Sequence, residues 1–287
     1  MRARGIDFAV FHTPPVNNAL PLVCINGGLL FDHKLLWPAL AALADKRQLI
    51  FYDQRGRGAS SIPPGLLASR IAFDAADVPA LRNAMGITRW DVLGHSWGGG
   101  IAMLATALEE QQAAASEPPA VRRLILVDAV GVESTWLNGL HEAGLARLTG
   151  AAHDKLARMD PEQLGVPDID YHARYAQAYF PAWFADPVFA GNISPPLGKS
   201  ATGAAVAARL RREGYDWRGT LGDLRTPTLV LHGAADVLPF AEAERTAALF
   251  ENARLVPIPE AGHNPFWEAP EAFFSAVRAF LDDDPPP

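Results

Sequence analysis

Cysteine is almost missing from the chain: Cys24 stands alone among 287 residues. No disulfide can therefore form within it. Cys24 lies in the apolar run Pro21-Leu22-Val23-Cys24-Ile25, where it reads as a small buried hydrophobe rather than a reactive thiol. Runs of lysine and arginine are missing too. The formal net charge is −7, and an acidic surface repels phosphate backbones, which sets nucleic acid aside as a partner. No apolar stretch approaches the length of a membrane span, and Met1-Arg2-Ala3-Arg4-Gly5-Ile6-Asp7 lacks the apolar centre of a signal peptide. The expectation is a soluble, cytoplasmic chain with no membrane partner. The eight histidines are scattered, without the paired spacing of a metal site, so neither metal nor cofactor is expected.

Apolar residues make up 49% of the chain and charged ones 20%. That balance supports a large core and excludes a wholly disordered chain. Short apolar runs alternate with longer helical patterns. Strands are expected at Ile6–Phe11, Leu20–Ile25, Gln48–Tyr52, Trp90–Leu93, Leu124–Val127, Thr228–Leu231 and Arg254–Ile258. Helices are expected near His33–Ala44, Phe73–Met85, Trp97–Glu109, Ala241–Phe250 and Pro265–Leu281. This alternation predicts an α/β fold, a mostly parallel sheet with helices on both faces. From Ser134 to Asp216 the strands stop, and Leu137–Leu148 has helical spacing. The expected organisation is a core of residues 1–133 and 217–287 with a helical cap inserted at 134–216. Gln111–Ala120 reads as a loosened helix end, and Asp282–Pro287 as a disordered tail.

The strongest chemical signal is Gly94-His95-Ser96-Trp97-Gly98, a G-x-S-x-G pattern with a strand running into it and a helix leaving it. A serine on so sharp a turn is exposed to substrate, and the flanking glycines relieve the crowding. A serine hydroxyl needs a base, and the base needs a carboxylate to orient it. His263, in Glu260-Ala261-Gly262-His263-Asn264-Pro265, is the one histidine beyond the last expected strand. Asp236 follows the strand at Thr228–Leu231, on the side where sites collect in parallel sheets; Asp128, one strand earlier, is the rival. The two backbone donors of an oxyanion hole are expected at Trp97 and at Gly28, with Leu29 the fallback in Asn26-Gly27-Gly28-Leu29-Leu30. That glycine pair lacks the Lys and Ser/Thr of a phosphate loop. Arg55 could contact substrate, but a structural pairing with nearby acidic groups or carbonyls is the expectation, and His95 is expected to pack beside the site. The cap aromatics Tyr171, Tyr175, Tyr179, Phe180, Trp183 and Phe184 either pack the insertion onto the core or line a pocket, with Tyr171, Tyr175, Tyr179 and Trp183 the candidate substrate-binding set.

With these residues in view, the chain resembles the α/β-hydrolase superfamily along nearly its whole length. Phe51-Tyr52-Asp53-Gln54-Arg55-Gly56-Arg57-Gly58-Ala59-Ser60 and Gly94-His95-Ser96-Trp97-Gly98-Gly99 resemble the proline iminopeptidase branch. That branch carries a His-Gly-Gly-Pro-Gly loop; here the glycine pair Gly27-Gly28 matches and its neighbours do not. The resemblance implies cleavage of an N-terminal residue through an acyl-enzyme, with cap carboxylates holding the free amine. Glu213, Asp168, Asp170 and Asp186 are the available acids. Similar motifs occur in esterases, lactonases and cofactor-free haloperoxidases. The readings left open are aminopeptidase, carboxylester or lactone hydrolase, and a ligand-binding homologue without turnover. In each, the partner is a small molecule or short peptide.

Overall fold

A computed structural model describes residues 1–65, 69–113, 118–195 and 197–282. The N-terminal segment forms β1 (Arg2–Ala3), β2 (Ile6–Asp7) and β3 (Val10–His12) instead of one continuous strand. Two hydroxyls explain the interruption: Ser61 Oγ accepts from Asp7 N–H at 2.9 Å and Ser60 Oγ from Ala9 N–H at 3.0 Å, so these donors are lost to a ladder. Then come β4 (Leu22–Ile25), β5 (Leu49–Tyr52), α1 (Ile71–Ala84), β6 (Trp90–His95), α2 (Trp97–Gln112) and β7 (Val121–Val127). The expected helix at His33–Ala44 is two short 3-10 turns, His33–Leu35 and Ala41–Asp45. Pro38 disfavours helical backbone at Trp37 and breaks the run.

Residues 134–216 hold α3 (Leu140–Arg147), α4 (Gly150–Ala157), α5 (Ile169–Tyr179) and α6 (Ala201–Glu213), and α7 (Arg218–Leu221) follows. Among the described residues, 134–216 contain no strand of two or more residues. The chain closes with β8 (Thr228–Gly233), α8 (Phe240–Leu249), β9 (Ala253–Ile258), α9 (Pro265–Glu268) and α10 (Pro270–Asp282). The last two replace one expected helix, because Pro270 removes a backbone donor at the join. The expected loosened end at Gln111–Ala120 falls partly, and the Asp282–Pro287 tail almost wholly, outside the described residues.

Seven strands pair in the order β3-β5-β4-β6-β7-β8-β9. Only β3 runs antiparallel; the other neighbours are parallel. Successive side chains of a strand face opposite sides. Val23, Ile25, Val92 and Leu126 therefore meet Ile101 and Met103 of α2 on one face. Leu22, Cys24, Leu93 and Ile125 meet Phe273, Val277 and Leu281 of α10 on the other. Burial of both faces explains why these strands read as unbroken apolar runs. No described helix is long and apolar enough to cross a membrane.

Candidate active site

Ser96 is the single residue between β6 and α2, at φ 54° and ψ −122°. A non-glycine residue holds such angles only where its surroundings over-determine it. Here the Ser96 N–H donates to the Val127 carbonyl at 2.9 Å, and its own carbonyl accepts from Gly99 at 2.9 Å and Val130 at 3.2 Å. The turn also needs a close approach: a Cβ on Gly98 would run into the Ile25 carbonyl. Helix α2 begins at Trp97 with no intrahelical acceptor for that residue's N–H.

Asp236 and His263 come from the loops after β8 and β9. Asp236 Oδ2 accepts from His263 Nδ1 at 2.8 Å, and Asp236 Oδ1 accepts from Leu238 N–H at 3.1 Å. The Asp236 side chain is wholly buried. Burial works against its ionisation, but the charge and hydrogen bond of His263, with His232, outweigh it and hold the pKa below the ordinary carboxylate value. An ionised carboxylate only accepts, so the proton lies on His263 Nδ1 and Nε2 is left as a base. His263 and Ser96 line one small cavity.

Backbone and ring contacts fix the imidazole. The His263 N–H donates to the Trp183 carbonyl at 2.7 Å, and its carbonyl accepts from His95 Nε2 at 2.8 Å. The Trp183 ring lies 4.2 Å from the His263 ring, 31° from parallel. His95 itself is buried, and desolvation, then the His263 charge, pushes its pKa down to about 3. It is a neutral donor to the His263 carbonyl. Glu268 was not singled out by the sequence, yet its carboxylate accepts from Ala185 N–H at 2.7 Å, Gly262 N–H at 3.0 Å and Asn264 N–H at 3.2 Å. It braces the loop on both sides of His263.

Asp128 directly follows β7, with φ 44°. Its Oδ1 accepts from Gly233 N–H at 2.7 Å. Acceptor or donor atoms of Asp128, Asp236 and His263 lie within 4.8 Å of one another. Burial, then the Asp236 charge, holds the Asp128 carboxyl well above its ordinary pKa. Two carboxyls in so dry a site do not both ionise; Asp128 is the neutral one.

The Asn26–Leu30 loop packs directly on Ser96. A Cβ on Gly27 would sit 2.5 Å from Ser96 Cβ, and Gly28 adopts φ +69° with the Phe31 ring filling the space of a side chain. Asn26 Nδ2 donates to the Gly27 carbonyl at 3.1 Å and the Phe31 carbonyl at 3.3 Å, which closes the loop on itself. Among the described residues neither Gly28 nor Trp97 N–H has a backbone acceptor outside helices and strands. Leu29 lines the adjoining cavity. Arg55 pairs with Asp77, Nε to Oδ2 at 2.6 Å, away from the site.

Ser96 stands between two cavities. The larger, about 180 Å³, is walled by Leu29, Trp97, Val130, Leu140, Leu164 and Leu210, with Tyr175, Tyr179 and His172 from α5 and Trp183. The smaller, about 50 Å³, is lined by Leu35, His95, Phe180, His263 and Asn264. Gly28, Phe31, Ser96 and Trp183 belong to both. Tyr175, Tyr179 and Trp183 thus reach the site. Tyr171 does not: its hydroxyl donates to the Asp160 carbonyl at 2.6 Å at the outer end of α5. Phe184 is buried against Trp267, its ring 6.1 Å away and nearly parallel. No carboxylate lines either cavity among the described residues. Asp168 caps α5, Asp170 pairs with Lys199, Glu213 with Arg209, and Asp186 caps a turn at Val188.

The chain is 26% identical to a proline iminopeptidase of Lactiplantibacillus plantarum over 92% of its own length and 93% of that protein. Among solved structures, an esterase from Exiguobacterium antarcticum matches 98% of both chains with a TM-score of 0.73 at 21% identity. An enol-lactonase from Burkholderia xenovorans matches 98% of both with a TM-score of 0.71 at 22% identity. At those identities the two structures are alike in fold. The model of the alpha/beta hydrolase fold family matches residues 21–270, so the chain belongs to that family.

Proposed function

We propose that the chain is a serine hydrolase working through an acyl-enzyme, with a carboxylic ester of an apolar acid as its substrate. Ser96 Oγ attacks the carbonyl carbon while His263 Nε2 takes its proton; Asp236 orients the imidazole and stabilises its charged form. The N–H groups of Gly28 and Trp97 receive the developing oxyanion. His263 then protonates the leaving oxygen, and a water activated by the same nitrogen releases the acid. Residues 134–216 act as a cap on the core of 1–133 and 217–287, and Tyr175, Tyr179 and Trp183 face the substrate.

The observation that carries the ester reading is the chemistry of the walls. A protonated α-amine in a dry cavity requires an opposing carboxylate. The cavities beside Ser96 are walled by aliphatic and aromatic side chains with histidines and Asn264, and by no carboxylate among the described residues. The aminopeptidase reading has support of another kind, since curated relatives over most of the chain carry that name. The deciding experiment compares proline 4-nitroanilide, its N-acetyl derivative and an aliphatic 4-nitrophenyl ester on the purified protein. The ester reading expects the ester to be far the best substrate, with acetylation of the anilide making little difference. Strong anilide cleavage that vanishes on acetylation would replace it with the aminopeptidase reading.

A further inference from the structure

We propose that the two cavities at Ser96 divide the substrate by role: the large apolar chamber takes the acyl chain, and the small chamber takes the leaving alcohol. The inference rests on the serine-hydrolase reading and deepens it by fixing the substrate's orientation and size. Its basis is where the base lies. His263 lines the 50 Å³ chamber and is absent from the walls of the 180 Å³ one. The nitrogen that takes the Ser96 proton must return it to the departing oxygen, within hydrogen-bond reach. The departing group therefore lies on the His263 side, among Leu35, Phe180 and Asn264. The acyl chain extends the other way, among Leu29, Val130, Leu164 and Leu210.

The chemistry balances. In the first half-reaction the Ser96 Oγ–acyl carbon bond forms, the acyl carbon–alkoxy bond breaks, and the serine proton leaves with the alcohol through His263. In the second, a water oxygen bonds the acyl carbon, the Oγ bond breaks, and a water proton returns to Ser96. Size follows from volume. At about 30 Å³ per water-sized group, the large chamber holds roughly six heavy atoms and the small one roughly two. The substrate class is an ester of a medium-chain apolar acid with a small alcohol such as methanol or ethanol.

The test is a matrix of alkyl esters followed by acid release in a pH-stat. At fixed methyl alcohol, kcat/KM should rise about fourfold per acyl methylene and level off at about six carbons, the chamber's capacity. At fixed acyl group it should fall at least tenfold from methyl to butyl. Ala207 also lines the large chamber; Ala207→Phe narrows it and should shorten the acyl optimum while leaving the alcohol ranking unchanged. Phe180→Leu widens the small one and should relieve the penalty on butyl esters. The reverse ranking in wild type, or a profile flat in both directions, overturns the proposal whatever the variants do. Labelling by a fluorophosphonate separates the two levels: failure to label Ser96 sinks the serine-hydrolase reading, whereas labelling with the wrong length profile sinks only the orientation.

Discussion

Replacing Asp236 by Asn and, separately, Asp128 by Asn sets two adjacent buried carboxyls against each other. Asp236 Oδ2 meets His263 Nδ1 at 2.8 Å. An Asn there presents either a second donor to that nitrogen or an oxygen without charge, so the ring loses both its tautomer and the partner for its charged form. In a serine triad this change costs about 10⁴ in kcat, or about 5.5 kcal/mol of transition-state stabilisation. Asp128 is the same kind of residue within a few ångströms of the same imidazole, but burial and the Asp236 charge keep it protonated. Asn is nearly its isostere in that state. Its oxygen can still accept from Gly233 N–H, and its amide can still donate where the acid proton did. The loss is that of one rearranged neutral hydrogen bond, about 1 kcal/mol, hence less than tenfold in rate. The assay is kcat/KM on the best ester with the rate of fluorophosphonate labelling, both beside a thermal melt to verify folding. If Asp128→Asn loses a thousandfold while Asp236→Asn remains active, the acid is the earlier residue and the electrostatic argument fails.

Two further outcomes follow from the same geometry. Ser96→Ala should lower kcat by about 10⁶ and abolish labelling, while Ser96→Gly, equally inactive, should be the more stable by about 1 kcal/mol because glycine relieves the positive-φ backbone; equal melting of the two would remove the strain argument. His95, pushed down to about 3 from an ordinary 6.5, refuses in the folded state a proton that the unfolded chain accepts. Its contribution to stability is whole above about pH 6.5 and is lost as the pH falls toward 3, amounting to about 2 kcal/mol by pH 5. Urea unfolding of wild type and His95→Asn at pH 7 and pH 5 measures it, and identical pH slopes in the two proteins would contradict it.

The placement of Ser96 was legible because its signal is local: a strand, a strained turn and a helix occupy consecutive residues 90–112. Asp236 and His263 were legible through chain order on a parallel sheet, which places loops at one edge in a fixed sequence. The candidate substrate-binding tyrosines divide along α5. Tyr171, Tyr175 and Tyr179 share one helical face by i, i+4 spacing, yet the first lies a turn too far out to reach the cavity. The role of Glu268 was not legible, since three backbone donors from residues 185, 262 and 264 meet only after the chain has folded. The protonation of Asp128 was hidden for a related reason: two aspartates 108 positions apart in sequence give no sign that they will compete for one charge. The composition of the cavity walls, on which the substrate reading turns, also waited on the fold, because the acids of the insertion are plentiful in sequence and all point elsewhere.

The segment 134–216 is fastened beside Asp236 and His263. Arg147 of α3 donates to the carbonyls of Phe184 and Ala235, the latter next to Asp236. The Trp183 carbonyl holds His263, and Glu268 grips Ala185 and the His263 loop together. The helical segment is consequently not a module that can be exchanged at will. A chimera carrying another relative's insertion on this core would have to bring a backbone carbonyl to His263 N–H and a guanidinium to Ala235, or His263 would sit unanchored even though every core residue was untouched. Recombination within such a family then works only where the graft brings Arg147, Trp183 and Ala185, or their equivalents, along with the new pocket, and libraries that shuffle the segment without them select for repair of the anchor before they select for a new substrate.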